Sequence, residues 1–141
     1  MNNRFKFRIW HEGKMHYNDF VITSTGYAAK IDEEFLGKCV FNQENLEFNK
    51  QAVVMQCTGL KDKNGKLIYD GDIVKIEYYD FEIKHRIGIV EWEDDGFCIT
   101  YHNPKDTKVS GCSLVDIVNG AKQEVIGNIY ENKELIDVGR S

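Results

Sequence analysis

The chain has 141 residues and a mass of 16.3 kDa, enough to close one hydrophobic core with a smaller appended lobe and too short for two full-sized domains. Its residues are 42% apolar and 29% charged, the balance of a folded domain and not of a disordered chain. A net charge of -5 argues against a protein that coats nucleic acid through bulk positive charge, and no stretch reaches the apolar length of a membrane-spanning helix.

The first element is Arg4-Phe5-Lys6-Phe7-Arg8-Ile9-Trp10, which alternates charged and apolar side chains with period two, as a half-buried strand requires. Over residues 1–16 the cations Arg4, Lys6, Arg8 and Lys14 face only Glu12, so this acidic chain opens on a basic segment. Those cations form either a solvated strand face opposite Phe5, Phe7 and Ile9, or phosphate contacts beside a Trp10 stacking platform. Glu12-Gly13-Lys14 turns the chain, and Met15, Tyr17 and Val21 fall on one face of a returning strand that Asp19 interrupts. An N-terminal hairpin follows.

Between Ser24 and Gly37, the residues Ala28, Ala29, Ile31, Phe35 and Leu36 are spaced for one short helix that stops at the glycine. The polar stretch 38–50 then marks a boundary, which divides the chain into an N-terminal lobe over residues 1–52 and a main domain over residues 53–141.

From Val53 onward the chain is a succession of short strands separated by turn residues. Val53 to Thr58 opens the series, Asn64-Gly65 predicts a tight hairpin turn, and Leu67-Ile68-Tyr69 leads into a second turn at Asp70-Gly71-Asp72. Ile73 to Tyr79 and Ile83 to Trp92 follow as strands, the latter interrupted by Gly88, where a bulge or sharp bend is expected. Phe97, Ile99 and Tyr101 alternate along the next strand, and Val125 to Tyr130 closes the series with Gly127 inside it. The fold class is mainly β, or β-rich α+β, built around a small C-terminal barrel with an N-terminal lobe that contains the hairpin.

Little in this pattern carries reactive chemistry. His11, His16, His85 and His102 show neither metal-ligand spacing nor a neighbouring nucleophile motif. Cys39, Cys57, Cys98 and Cys112 are widely separated and form no C-x-x-C pair, which fits reduced, structural thiols and a cytoplasmic address. Asp62, Asn64 and Gly65 resemble the start of a calcium loop, but the glycine comes too early and tyrosine falls near the closing ligand position. Asp70 and Asp72 could pair for acid–base work, yet they flank a glycine in a turn where aspartate ties nearby amides. The expectation is therefore a non-enzymatic chain with no catalytic group, no metal and no cofactor.

Three separated motifs carry a family resemblance: residues 55–66 (Met-Gln-Cys-Thr-Gly-Leu-Lys-Asp-Lys-Asn-Gly-Lys), residues 68–74 (Ile-Tyr-Asp-Gly-Asp-Ile-Val) and residues 125–132 (Val-Ile-Gly-Asn-Ile-Tyr-Glu-Asn). With Lys6 to Trp10 and Met15 at the start, the chain resembles the YopX family of phage and prophage proteins over nearly its whole length. Cys57, Asp70 and Lys133 stand where that family often has tyrosine, glutamate and proline. The resemblance implies an SH3-like barrel from near Val53, a phage or prophage origin and self-association, and it implies no activity. Partners are expected to be a second copy of the chain or a host or phage protein, with nucleic acid as the second choice and no membrane. The binding candidates are Arg4, Lys6, Arg8, Trp10, Tyr69, Asp72 and Tyr130.

Overall fold

The structure, a computed structural model, describes residues 3–18, 20–22, 28–30, 47–49, 52–93, 96–103, 106–113 and 122–137. Within these the chain is mainly β, as expected, with a single 3-10 turn at Asn3–Phe5 and one short helix, α1 (Glu134–Asp137). It divides into two units, Phe7–Met55 on one hand and Met1–Lys6 with Gln56–Ser141 on the other.

The unit Phe7–Met55 starts with the expected hairpin. Strands β1 (Phe7–His11) and β2 (Lys14–His16) pair antiparallel, with Trp10 opposite Met15 and His11 opposite Lys14. Glu12 and Gly13 between them have φ of 49° and 75°, the two positive values that a type I′ turn demands and that match the right-handed twist of its strands. The simple alternation expected of β1 is not kept, because Arg8 and its neighbour Ile9 are both buried. Successive strand residues point to opposite faces, so both faces of β1 are covered at that point.

The return strand stops at His16. Val21 belongs to a separate strand, β3 (Phe20–Ile22), which joins β4 (Ala28–Lys30) and β5 (Glu47–Asn49) in a three-stranded antiparallel sheet of order β3-β4-β5. The helix expected between Ser24 and Gly37 is thus replaced over Ala28–Lys30 by a strand paired on both sides, Ala29 lying between Val21 and Phe48. A short apolar run carries too little intrinsic preference to resist two ladders of backbone hydrogen bonds. The rest of that expected helix, and most of the polar boundary at 38–50, lie outside the described residues.

β6 (Val53–Lys61) carries the chain into the second unit, where it pairs antiparallel with β7 (Leu67–Tyr69). The connecting turn does contain Asn64-Gly65, but in a longer form than the two-residue turn expected. The Gly65 amide donates to the Asp62 carbonyl at 3.0 Å, Gly65 has φ of 81°, and the Asp62 amide donates to the Lys66 carbonyl at 2.8 Å. This is a three-residue loop that ends on a left-handed glycine. At the next corner Asp70-Gly71 moves the chain from one sheet to another, and the Gly71 amide donates to the Val90 carbonyl at 2.8 Å.

The second sheet has five antiparallel strands in the order β11 (Asp106–Ser113), β10 (Gly96–Asn103), β9 (Glu82–Glu93), β8 (Asp72–Asp80) and β12 (Lys122–Asn128). Register places Val74 beside Gly88 and Val125, and Val90 beside Ile99. One face of the sheet therefore collects Val74, Ile76, Val90 and Ile99, which form the core with Ile68, and Leu60, Phe97, Tyr101 and Val125 pack around it.

The outer edge of β12 is tied to the β6–β7 hairpin. The Lys63 amide donates to the Gln123 carbonyl at 3.0 Å, and the Val125 amide donates to Asp62 Oδ2 at 3.0 Å. Ile126 is then the extra residue of a bulge, and at Gly127 the strand passes close to Asn132, whose Oδ1 accepts the Asn128 amide at 3.2 Å. A Cβ on Gly127 would sit 2.5 Å from that oxygen. Gly127→Ala is expected to displace the Asn132 side chain and lower stability by about 1–2 kcal/mol, read as a shift of the urea midpoint at constant slope.

Candidate functional site

Three of the sequence candidates converge in the second unit. The Tyr69 amide donates to Asp72 Oδ2 at 2.8 Å across the corner, with Asp72 only 1% exposed. Asp72 lies opposite Asn128 in the β8–β12 ladder, and Asn128 Oδ1 accepts the amides of Tyr130 at 3.0 Å and Glu131 at 2.9 Å. Tyr69, Asp72 and Tyr130 therefore meet around a network that fixes the backbone where β7, β8 and β12 end or begin. Tyr69 is buried and Tyr130 half-buried. A carboxylate so enclosed, and bonded to a turn amide, acts on the chain itself.

The basic N-terminal candidates do not form a uniform charged face. Lys6 is exposed and its carbonyl accepts the Cys57 amide at 2.8 Å, Trp10 is half-buried, and Arg8 is 3% exposed. Arg4 falls in the 3-10 turn, and its side chain lies outside the described residues. With Arg8 buried, the run Arg4-Lys6-Arg8 loses its middle-to-end continuity as a phosphate-tracking surface.

At the calcium-like spacing, Asp62 turns both carboxylate oxygens to backbone amides. Its Oδ1 accepts the amides of Asn64 and Lys66, each at 2.9 Å, and its Oδ2 accepts that of Val125. Among the described residues no group of three His, Cys, Asp or Glu side chains is placed to hold a metal ion. Burial pushes the Cys98 thiol above its ordinary pKa, with the nearby Glu93 carboxylate adding to the effect.

The feature that sequence reasoning missed is the distal half of the β8–β9 hairpin. Tyr79 pairs with Ile83, and Ile83 and Ile87 share a sheet face with Tyr79. All three are exposed, Tyr79 at 78% and Ile83 at 65%, and Phe81 at the turn is 95% exposed. Carboxylates on this hairpin approach neighbouring nitrogen groups. Lys84 Nζ lies 4.0 Å from Glu82, while His85 Nε2 and Lys122 Nζ lie 3.4 Å and 3.9 Å from the two oxygens of Glu77. The arrangement can bury apolar surface against another molecule, and it presents no convergent acid, base or nucleophile. The one signal in the sequence was negative: Tyr79-Asp80-Phe81-Glu82 has no Gly, Asn or Pro where the chain must reverse.

A five-stranded antiparallel sheet, tied at one edge to a hairpin loop, defines a small, mainly β protein. The family model for YopX protein matches residues 6–137, and the chain belongs to the YopX family. The crystal structure of the protein yopX from Bacillus subtilis is similar to it, with 26% sequence identity, a TM-score of 0.57, and 96% of this chain and 98% of that one covered. A crystal structure of a protein from Enterococcus faecalis shares the fold, with 24% identity, a TM-score of 0.54 and coverage of 93% and 96%. Among curated proteins none matches. Among the described residues no helix is long and apolar enough to cross a membrane.

Proposed function

We propose that this YopX-family chain is a phage or prophage accessory protein that works without catalysis, as a self-associating protein-binding module in the cytoplasm of its bacterial host. The observation that carries the reading is the exposed ridge of Tyr79, Ile83 and Ile87 on one face of the β8–β9 hairpin. Tyr79 and Ile83 are directly opposed across the hairpin, and Ile87 lies further along the same face beyond the His85–Glu77 pair. Apolar side chains that folding leaves in water mark sites of association, because their burial against a partner releases about 25 cal/mol per Å². Nucleic acid is the weaker partner here, since Arg8 is buried and Lys84 and Lys122 each lie within 4.0 Å of a carboxylate oxygen.

Light scattering on the wild-type chain across a concentration series should give a mass above the 16.3 kDa monomer. Ile83→Ser with Ile87→Ser should shift that mass toward the monomer and leave the thermal midpoint nearly unchanged, because neither side chain contributes to the core. A monomer at every concentration would remove self-association. Salt-sensitive binding to an oligonucleotide, lost in Lys6→Ala, would favour the nucleic-acid reading instead.

A further inference from the structure

The turn between β6 and β7 holds an Asn-Gly pair, Asn64-Gly65, with both residues exposed. The pair forms turns readily and is also reactive, since glycine has no side chain to keep its amide nitrogen from the preceding carboxamide. A Cβ built on Gly65 would meet nothing within 4 Å, so no neighbouring group screens the pair from water. In the reaction the Gly65 nitrogen attacks Asn64 Cγ. The N–Cγ bond forms, the Cγ–Nδ2 bond breaks, and ammonia leaves with the proton that the glycine nitrogen gave up. Water then opens the cyclic imide at either carbonyl. Opening at Cγ gives an aspartyl chain, and opening at the Asn64 main-chain carbonyl gives an isoaspartyl linkage, in which the backbone runs through Cβ and Cγ. Water is the only co-reactant, and no electrons are transferred.

The folded turn opposes the first step. The Gly65 N–H donates to the Asp62 carbonyl at 3.0 Å, and the Asn64 and Lys66 N–H groups on either side donate to Asp62 Oδ1, each at 2.9 Å. The attacking nitrogen is engaged as a donor, and one carboxylate pins the backbone on both sides of it. The same turn holds the edge of β12: the Lys63 N–H donates to the Gln123 carbonyl, Asp62 Oδ2 accepts the Val125 N–H, and Lys63 Nζ lies 3.4 Å from Glu124. An extra backbone carbon does not fit a three-residue loop whose ends those bonds fix, because loop length sets the turn and the register. We propose that Asn64 is a site of spontaneous deamidation, that Asp62 sets its rate by keeping the turn closed, and that the isoaspartyl product releases the β12 edge.

The test ages the full chain at mildly alkaline pH and follows residue 64 by peptide mapping with mass spectrometry, which separates it from a second pair, Asn119-Gly120, outside the described residues. Folded wild type should lose Asn64 about tenfold or more slowly than the same chain in guanidinium chloride, and Asp62→Ala should recover most of that difference, because opening then breaks fewer bonds. Asp62→Asn keeps an oxygen for the two loop amides and should stay near wild type. Ile99→Ala destabilises the core, leaves the turn intact and should do the same, which separates turn opening from a general loss of stability. Deamidation adds a negative charge, so ion exchange isolates the product, and amide exchange at Val125 should be about tenfold faster in its isoaspartyl form. Asn64→Asp adds the charge without the extra backbone carbon and should keep Val125 protected. Equal loss in folded and unfolded chains, an Asp62→Ala rate no faster than wild type, or a comparable acceleration in Asp62→Asn or Ile99→Ala overturns the control by Asp62. Wild-type exchange at Val125 in the isoaspartyl chain overturns the release of β12, and an Asn64 that persists in the unfolded chain removes the site.

Discussion

Asp62→Ala is expected to lower the stability of the second unit by about 3 kcal/mol, as a drop in the denaturant midpoint with little change in slope. The carboxylate accepts three backbone amides while only 7% exposed, so truncation strips charge-assisted hydrogen bonds from Asn64, Lys66 and Val125 together. The loop around Lys63 to Lys66 is exposed, so water can resolvate the first two amides. Val125 is different, because its amide is part-buried and belongs to the edge of β12, and its bond is what ties that edge to the distant hairpin. Asp62→Asn separates the two effects. Its amide oxygen can keep the loop bonds, but its NH2 group faces the Val125 N–H donor, and about half of the loss should remain. Hydrogen exchange at Val125 should rise in both variants. A loss below about 0.5 kcal/mol for Asp62→Ala would show that the edge is held by the Lys63–Gln123 bond without it.

Gly88→Ala should be as damaging for the opposite reason, by about 2–3 kcal/mol. Gly88 lies between Val74 and Tyr101 in the ladder, and a Cβ there would collide with Ile99 Cγ2 and approach the Thr100 carbonyl to 3.1 Å and Tyr101 Cδ1 to 3.2 Å. Ile99 is wholly buried in the core and the Thr100 carbonyl is fixed in its strand, so neither can give way without moving its neighbours. The same crowding predicts coupling. Ile99→Ala alone opens a cavity, whereas in the double variant the new methyl fills part of that space, so the two losses should add to less than their sum. Strict additivity in a double-mutant cycle would show that the strand shifts to admit the methyl and that Gly88 is not held by contact with Ile99.

The two candidates differ in what a reader of the sequence could have foreseen. Gly88 was expected to mark a bulge or sharp bend, but β9 runs through it in unbroken register with both neighbours, and what requires the glycine is the close approach of Ile99. Asp62 was legible only as part of a turn, or of a failed calcium loop, since its third partner lies 63 residues away in the chain. Ile83 and Ile87 gave no warning at all. In sequence they stand in the same alternation as Ile89, which is buried.

The sequence by itself determined the local backbone: positive φ at Gly13, Gly65 and Gly71, the two hairpin turns and the corner where they lie, and the period-two runs that become strands, because torsional freedom and alternation belong to each residue and its neighbours. It also determined the family, through three motifs in which turn-forming Gly, Asn and Asp stand between strand residues. Only the tertiary structure decided which sheet face meets another layer, and hence that Arg8 is enclosed, that Tyr69, Asp72 and Tyr130 serve one network, that Ala28–Lys30 is a strand, and that the β8–β9 tip stands in water. Burial is set by what packs against a residue from elsewhere in the chain, and period-two alternation reads the same whether or not a second layer is there.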